Sequence, residues 1–297
     1  MTLKKLKSYM MPIAMLIGSL FYKYIEVLSF CTPYLIALML FISYCNISWR
    51  EIRISRLHVW LLLIQIIGCV VVYFSIKQFN PVIAEGAMIC ILAPTATSAV
   101  VITGMLGGNM ESLTSYSLLS NIAVAILAPV IFTLIGHGDY EISFFNTLMS
   151  ITRRVFVLLL LPFVLAFFLN KFLPKIHFIV KKSQNISFYL WSFALTVVTA
   201  KTVKFIFDQD SSNTVTEIMI ASAAFVICII QFVLGRFLGR KFGDTVAGGQ
   251  GLGQKNTILA IWMAQSYLTP IASIGPGAYV LWQNIVNSYQ VWKRAKE

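Results

Sequence analysis

Residues 246–262 read VAGGQGLGQKNTILAIW. Hydropathy treats this stretch as the interior of a membrane span, yet it holds four glycines, two glutamines, an asparagine and a lysine. A charged side chain at the centre of a bilayer costs about 2.5–3.5 kcal/mol or more, and such residues face a cavity or a partner. The plainer reading, a shifted span from which Lys255 snorkels to the surface, is opposed by the apolar run that continues on both sides of it to Trp262 and Pro270. Lys255 therefore has to be accounted for by what the protein does.

The surrounding chain sets the class. Of 297 residues, 58% are apolar and 11% charged, and the mean hydropathy is +0.81. Apolar runs of about 17 to 25 residues, the length that crosses a bilayer, recur from Met10 to Trp292. The sequence predicts an all-α polytopic membrane protein. A net charge of +12 would point to nucleic acid in a soluble chain, but the basic residues sit in short clusters between apolar runs and read as topology signals. No nucleic-acid partner is expected, and no obligate protein partner is evident. The five cysteines lie in apolar runs without a CxxC pair or an adjacent histidine, so neither a disulfide framework nor a metal site is expected.

Ten spans are predicted, at about 10–22, 29–45, 57–75, 81–106, 114–135, 155–173, 185–203, 216–235, 245–267 and 271–292. The basic start resembles a signal peptide but lacks a small-x-small cleavage site before Lys23, so the first helix is expected to be retained; nine spans would remain if it were cleaved. With both termini cytoplasmic, sixteen of the 23 basic residues fall inside, among them the Lys171–Lys182 segment. The acidic segments HGDYE at 137–141 and DQDSSN at 208–213 then fall outside, which satisfies the positive-inside rule. The expected location is the cell (inner) membrane.

Ten spans divide into five and five, at 1–140 and 141–297. An odd number per half orients two similar halves oppositely in the membrane. The fourth span of each half then invites comparison. Span four holds LAPTATSAVVITGMLGGN and span nine holds VAGGQGLGQKNTILA; each interrupts its apolar run with Pro or Gly and a polar cluster. Broken helices free backbone groups that hydrocarbon cannot satisfy, so they occur where neighbouring helices or a wet cavity take up those groups. Two breaks at matching places point to a substrate or ion site near the midplane.

In span four, Thr95, Thr97, Ser98 and Thr103 follow Pro94, which removes a backbone donor and frees carbonyls a turn earlier. Those carbonyls and hydroxyls are candidates to ligate a small cation or an anion's oxygens; the plainer reading is helix back-bonding or close packing. In span nine, Gln250, Gln254, Asn256 and Thr257 supply donors and acceptors, with interhelical glue as the alternative. In span ten, Gln283 and Asn284 lie one turn from Asn287, where ordinary packing is an equal reading. The three histidines, His58, His137 and His177, sit at loop or interfacial positions.

At these residues the sequence resembles the bile acid:sodium symporter family. Its first crossover reads about Cys-Pro-Gly-Gly-Thr-Ala-Ser-Asn, of which this chain keeps Pro94 and Thr97; its second reads about Glu-x-Gly-x-Gln-Asn, of which it keeps Gly253 and Asn256. Trp282, Gln283 and Asn284 align with a Trp-His-Asn in the tenth span. The resemblance implies ten helices in two inverted five-helix repeats, a panel and a core domain, and broken helices 4 and 9 crossing. It implies that Thr97, Asn256, Gln283 and Asn284, with Thr95 and Ser98 beside them, contact an anionic substrate. The family's sodium ligands are largely replaced. The Ser-Asn pair is Ala99 and Val100, the shared glutamate is Gly251, its glutamine is Lys255, and the fifth-span pair is Ser117 and Asn121.

Lys255 is thus expected to act as a tethered substitute for sodium, supplying positive charge between the crossing helices. Gln250, Gln254, Ser117 and Asn121 complete the expected coupling set. Because an ammonium is favoured when an anion arrives, proton uptake is expected to accompany binding. The leading reading is a secondary transporter of a small organic anion by alternating access, needing no cofactor and with sodium possible but disfavoured. One alternative is a sodium symporter with a rebuilt site; another is an uncoupled channel or membrane sensor, for which rings of charge are absent. An intramembrane enzyme is disfavoured because acidic residues lie almost wholly in loops and no histidine lies deep in a span.

Overall fold

The computed structural model describes residues 3–47, 52–135, 144–208, 214–294 and 296. Its helices in chain order are α1 (Leu3–Leu20), α2 (Tyr22–Ile25), α3 (Thr32–Cys45), α4 (Arg56–Lys77), α5 (Pro81–Leu92), α6 (Ser98–Met105), α7 (Met110–Ile135), α8 (Phe144–Phe172), α9 (Pro174–Lys182), α10 (Gln184–Phe207), α11 (Thr214–Lys241), α12 (Thr245–Gly253), α13 (Thr257–Tyr267) and α14 (Ile274–Arg294). Short 3₁₀ turns join α2 to α3 and α13 to α14. Five segments are long and apolar enough to cross a membrane: Tyr22–Cys45, Arg56–Lys77, Met110–Ile135, Phe145–Phe172 and Thr214–Lys241. Large apolar side chains face outward along them, including Trp60, Ile67 and Phe74 on α4 and Val226 and Val233 on α11. Contiguous apolar surface on that scale is untenable in water and matches hydrocarbon.

Two differences from the sequence reading concern connections. α8 begins at Phe144 rather than near 155, so Arg153 and Arg154, expected in a connecting segment, are helical and exposed. The Lys171–Lys182 segment contains a helix of its own, α9, started by Pro174 in its first turn, where a missing N–H costs nothing. The acidic segments expected outside, at 137–141 and 209–213, lie outside the described residues, as do Arg50 and the side chains of Lys4, Lys5 and Lys7.

The chain forms two compact units, each drawing on both sequence halves: residues 1–47 with 154–213, and residues 48–153 with 214–297. In the first, α1 and α3 pack on α10, whose Ala194, Val197, Val198 and Ala200 are buried. Gly18 brings α1 so close to α10 that a Cβ there would fall on the Thr196 carbonyl. The Tyr44 ring meets Phe163 edge-on at 5.7 Å.

In the second unit, α11 and α12 form the most extensive helix pair. Gly243, at φ +78°, turns the chain between them. Gly235 and Gly248 then let the two backbones touch, since a Cβ on either would collide with the other's carbonyl. Backbone cannot give way as a flexible side chain can. Gly248→Ala is therefore expected to destabilise the protein by about 1–3 kcal/mol and to lower its thermal midpoint in detergent. Gly277→Ala, which meets nothing within 4 Å, serves as the control and is expected to leave it unchanged.

Candidate functional site

The second unit carries both interruptions foreseen in the sequence. α5 stops at Leu92 and α6 begins at Ser98; α12 stops at Gly253 and α13 begins at Thr257. The breaks lie against each other, with Thr95 and Lys255 forming an isolated antiparallel bridge. The Ala96 N–H donates to the Gln254 carbonyl at 3.0 Å and the Asn256 N–H donates to the Pro94 carbonyl at 2.8 Å. Two carbonyl ends, of α5 and α12, and two amide ends, of α6 and α13, therefore meet at one place.

The freed carbonyls of the first break can be followed one by one. Pro94 has no N–H for Cys90, and the Cys90 carbonyl instead accepts from Gln231 Nε2 at 3.3 Å. The Ile91 carbonyl accepts from Lys255 Nζ at 2.9 Å. The carbonyls of Leu92 and Ala93 both accept from Gln65 Nε2, at 2.8 and 3.0 Å. The Thr95 carbonyl accepts from Ser117 Oγ at 3.2 Å and Asn121 Nδ2 at 3.5 Å, while the Thr95 N–H donates to Ser120 Oγ. At the second break, the Gly251 carbonyl accepts from Thr95 Oγ1 at 2.6 Å and the Gly253 carbonyl from the Tyr279 hydroxyl at 2.8 Å. Gln283 clamps Lys255 on both sides, its Oε1 accepting the Lys255 N–H at 2.9 Å and its Nε2 donating to the Lys255 carbonyl at 3.4 Å. Side chains of flanking helices thus do here what a continuous helix would do for itself.

Lys255 is 1% exposed. Its Nζ caps the carbonyl end of α5, where the helix dipole favours a cation. Thr97 and Asn256 occupy the opposite kind of end: they are the N-cap residues of α6 and α13, and Asn256 Oδ1 accepts the Leu259 N–H. Lys255 thus stands at a carbonyl end, and Thr97 and Asn256 at amide ends. Ser98 is exposed and accepts from Gln254 Nε2 at 3.1 Å, which ties α6 to the second break. Gln250 turns away from Ser117 and Asn121 and donates to Asn287 Oδ1 and Gln290 Oε1. Asn284 bonds back to the Val280 carbonyl of its own helix.

Several residues that complete this arrangement were not singled out from the sequence. Gln65 accepts from the Tyr116 hydroxyl and Ser120 while donating to the break. Gln231 likewise bonds the Tyr279 hydroxyl. Each is a single amide in a long apolar run, IIQII-like in setting, and a lone amide in hydrocarbon requires a partner; that was the available signal. Glu85, fully buried on α5, accepts the Thr269 N–H at 2.8 Å, so a carboxylate lies buried in an apolar helix of the unit.

A helical membrane protein whose two interrupted helices meet break to break, with charge placed at the broken ends, has the architecture of a membrane transporter. The model of the SBF-like CPA transporter family matches residues 23–281. The chain belongs to that family, which is related to the bile acid:sodium symporters, and it is a membrane transporter of that type. No curated protein matches the chain.

Proposed function

We propose that the chain is a secondary transporter of a small organic anion that works by alternating access and uses Lys255 in place of a sodium ion. In this reading the two compact units are panel and core, and the helices form ten spans in two inverted five-helix repeats with both termini in the cytoplasm. The carrying observation is the Lys255 ammonium on the Ile91 carbonyl, a cation held at the negative end of a broken helix. The anion binds at the amide ends of α6 and α13, near Thr97 and Asn256. The repeat reading is supported by the pairing of Gln65 on α4 with Tyr116 on α7 and of Gln231 on α11 with Tyr279 on α14. A rebuilt neutral sodium site needs Gln250 beside Ser117 and Asn121, whereas these groups bond different partners. Transport is accordingly independent of sodium and varies with pH.

Thermal denaturation of the purified chain against a panel of organic acids, neutral polyols and amines tests the substrate class. Stabilisation by carboxylates is expected, and stabilisation by amines or cations alone contradicts the proposal. Asn256→Asp sharpens the test. Aspartate caps a helix as well as asparagine does, so the unliganded midpoint is expected to hold. The added negative charge is expected to weaken carboxylate binding by more than about tenfold, the equivalent of 1.4 kcal/mol.

A further inference from the structure

α9, nine residues joining α8 to α10, reads PKIHFIVKK. At about 1.5 Å per residue it is far too short to cross a bilayer. Its large apolar side chains are nonetheless in the open: Ile176 is 47% exposed, Phe178 56% and Ile179 64%, and Phe172 and Leu173 just before it are 57% and 43% exposed. Between Lys171 and Ser183 the chain carries Lys171, Lys175, Lys181 and Lys182 and no acidic residue, and all four lysines are exposed. At 100° per residue, Ile176, Ile179 and Val180 share one side, while His177, Lys181, Phe178, Lys182 and Lys175 occupy the other. Lys182 lies over the Phe178 ring at 4.5 Å and Lys171 over Phe172 at 5.4 Å, which keeps apolar and cationic groups side by side along the helix.

α9 packs against α3 and α10, and His177, on its polar side, is only partly exposed. Partial burial, followed by the charge of Lys181, holds His177 below its usual pKa, with the Cys45 backbone opposing them; the positive charge of this face therefore comes mainly from the lysines at neutral pH. An exposed apolar strip on a helix flanked by two long apolar helices, ringed by lysines and lacking any acid, has the composition of an element lying in the plane of the membrane surface.

We propose that α9 is an interfacial helix that binds anionic lipid headgroups. Ile176 and Ile179 enter the acyl boundary while Lys175, Lys181 and Lys182 pair with the phosphates. The partner is the lipid of one leaflet: a free anion would be met by the lysines but would leave the apolar strip uncovered. This inference stands apart from the substrate reading and survives its failure.

The test places a reporter in the helix. An Ile179→Trp variant of the full chain is reconstituted in phosphatidylcholine vesicles containing 20 mol% of a brominated lipid, either phosphatidylglycerol or phosphatidylcholine, and the fluorescence is compared with that of the unsubstituted chain to remove the native tryptophans. Stronger quenching by brominated phosphatidylglycerol is expected. Adding Lys175→Gln, Lys181→Gln and Lys182→Gln is expected to reduce the relative affinity for it by about 100-fold, roughly fivefold for each exposed lysine. All three sites are on the surface, so the fold is retained, as a monodisperse elution profile checks. Equal quenching by the two lipids overturns the proposal. So does a phosphatidylglycerol preference that survives the triple substitution, because the lipid then sits elsewhere, and so does weak quenching by both, because the helix then lies outside the bilayer.

Discussion

Gln65→Leu is expected to lower the unfolding free energy by about 4 kcal/mol, the largest effect of any single substitution considered for this protein. The side chain is fully buried and serves four groups: the carbonyls of Leu92 and Ala93, the Tyr116 hydroxyl and the Ser120 hydroxyl. Leucine has nearly the same volume, so cavity formation contributes little. Each buried polar group left without a partner costs about 1–3 kcal/mol, and in a bilayer no water replaces the lost donor. The effects are not additive, since Ser120 also bonds the Thr95 N–H and retains that partner. Gln65→Glu is informative beside it: it keeps acceptors for Tyr116 and Ser120 but sets a carboxylate against two carbonyls. Thermal unfolding in detergent, followed by the loss of monodisperse protein, is expected to rank the wild type far above both variants.

The second large effect is on transport. Lys255→Gln keeps a donor in the α12–α13 break but removes the charge at the end of α5. A hydrogen bond to a charged group contributes about 1.5–3 kcal/mol, so substrate binding is expected to weaken roughly tenfold to 100-fold. Stability is expected to change little, because the lost bond is offset by the removal of a costly buried charge. A fall in both stability and binding to the same degree would mark Lys255 as a structural strut.

The breaks were legible because their causes are local. Pro94 deletes a donor, four glycines and a polar cluster crowd residues 248–257, and a lysine inside an apolar run signals itself. What those groups bond to was not legible. Lys255 reaches a carbonyl 164 positions away in the chain, and only packing brings the two breaks together. The glutamines at 65 and 231 were passed over because one amide in a long apolar helix leaves the hydropathy almost unchanged, although each closes a broken end. The same holds for Gln283, read as equally suited to packing or substrate, which pins the Lys255 backbone from both sides. Helix ends were the least accurate: α8 starts before the expected span because Phe145, Leu148, Met149 and Ile151 carry the apolar run back ahead of Arg153 and Arg154, and α9 is too polar to register as a span yet forms a helix behind Pro174.

Lys255 as a tethered cation is the centre of the account, and sodium dependence tests it most directly. Binding of the carboxylate that most stabilises the purified chain is to be measured by titration in 100 mM sodium chloride and in 100 mM choline chloride, at the same pH. The account predicts affinities equal within about twofold in the two salts, with proton uptake accompanying binding. Tight binding in sodium that disappears in choline would contradict it, and would place a free cation where the lysine has been assigned that role.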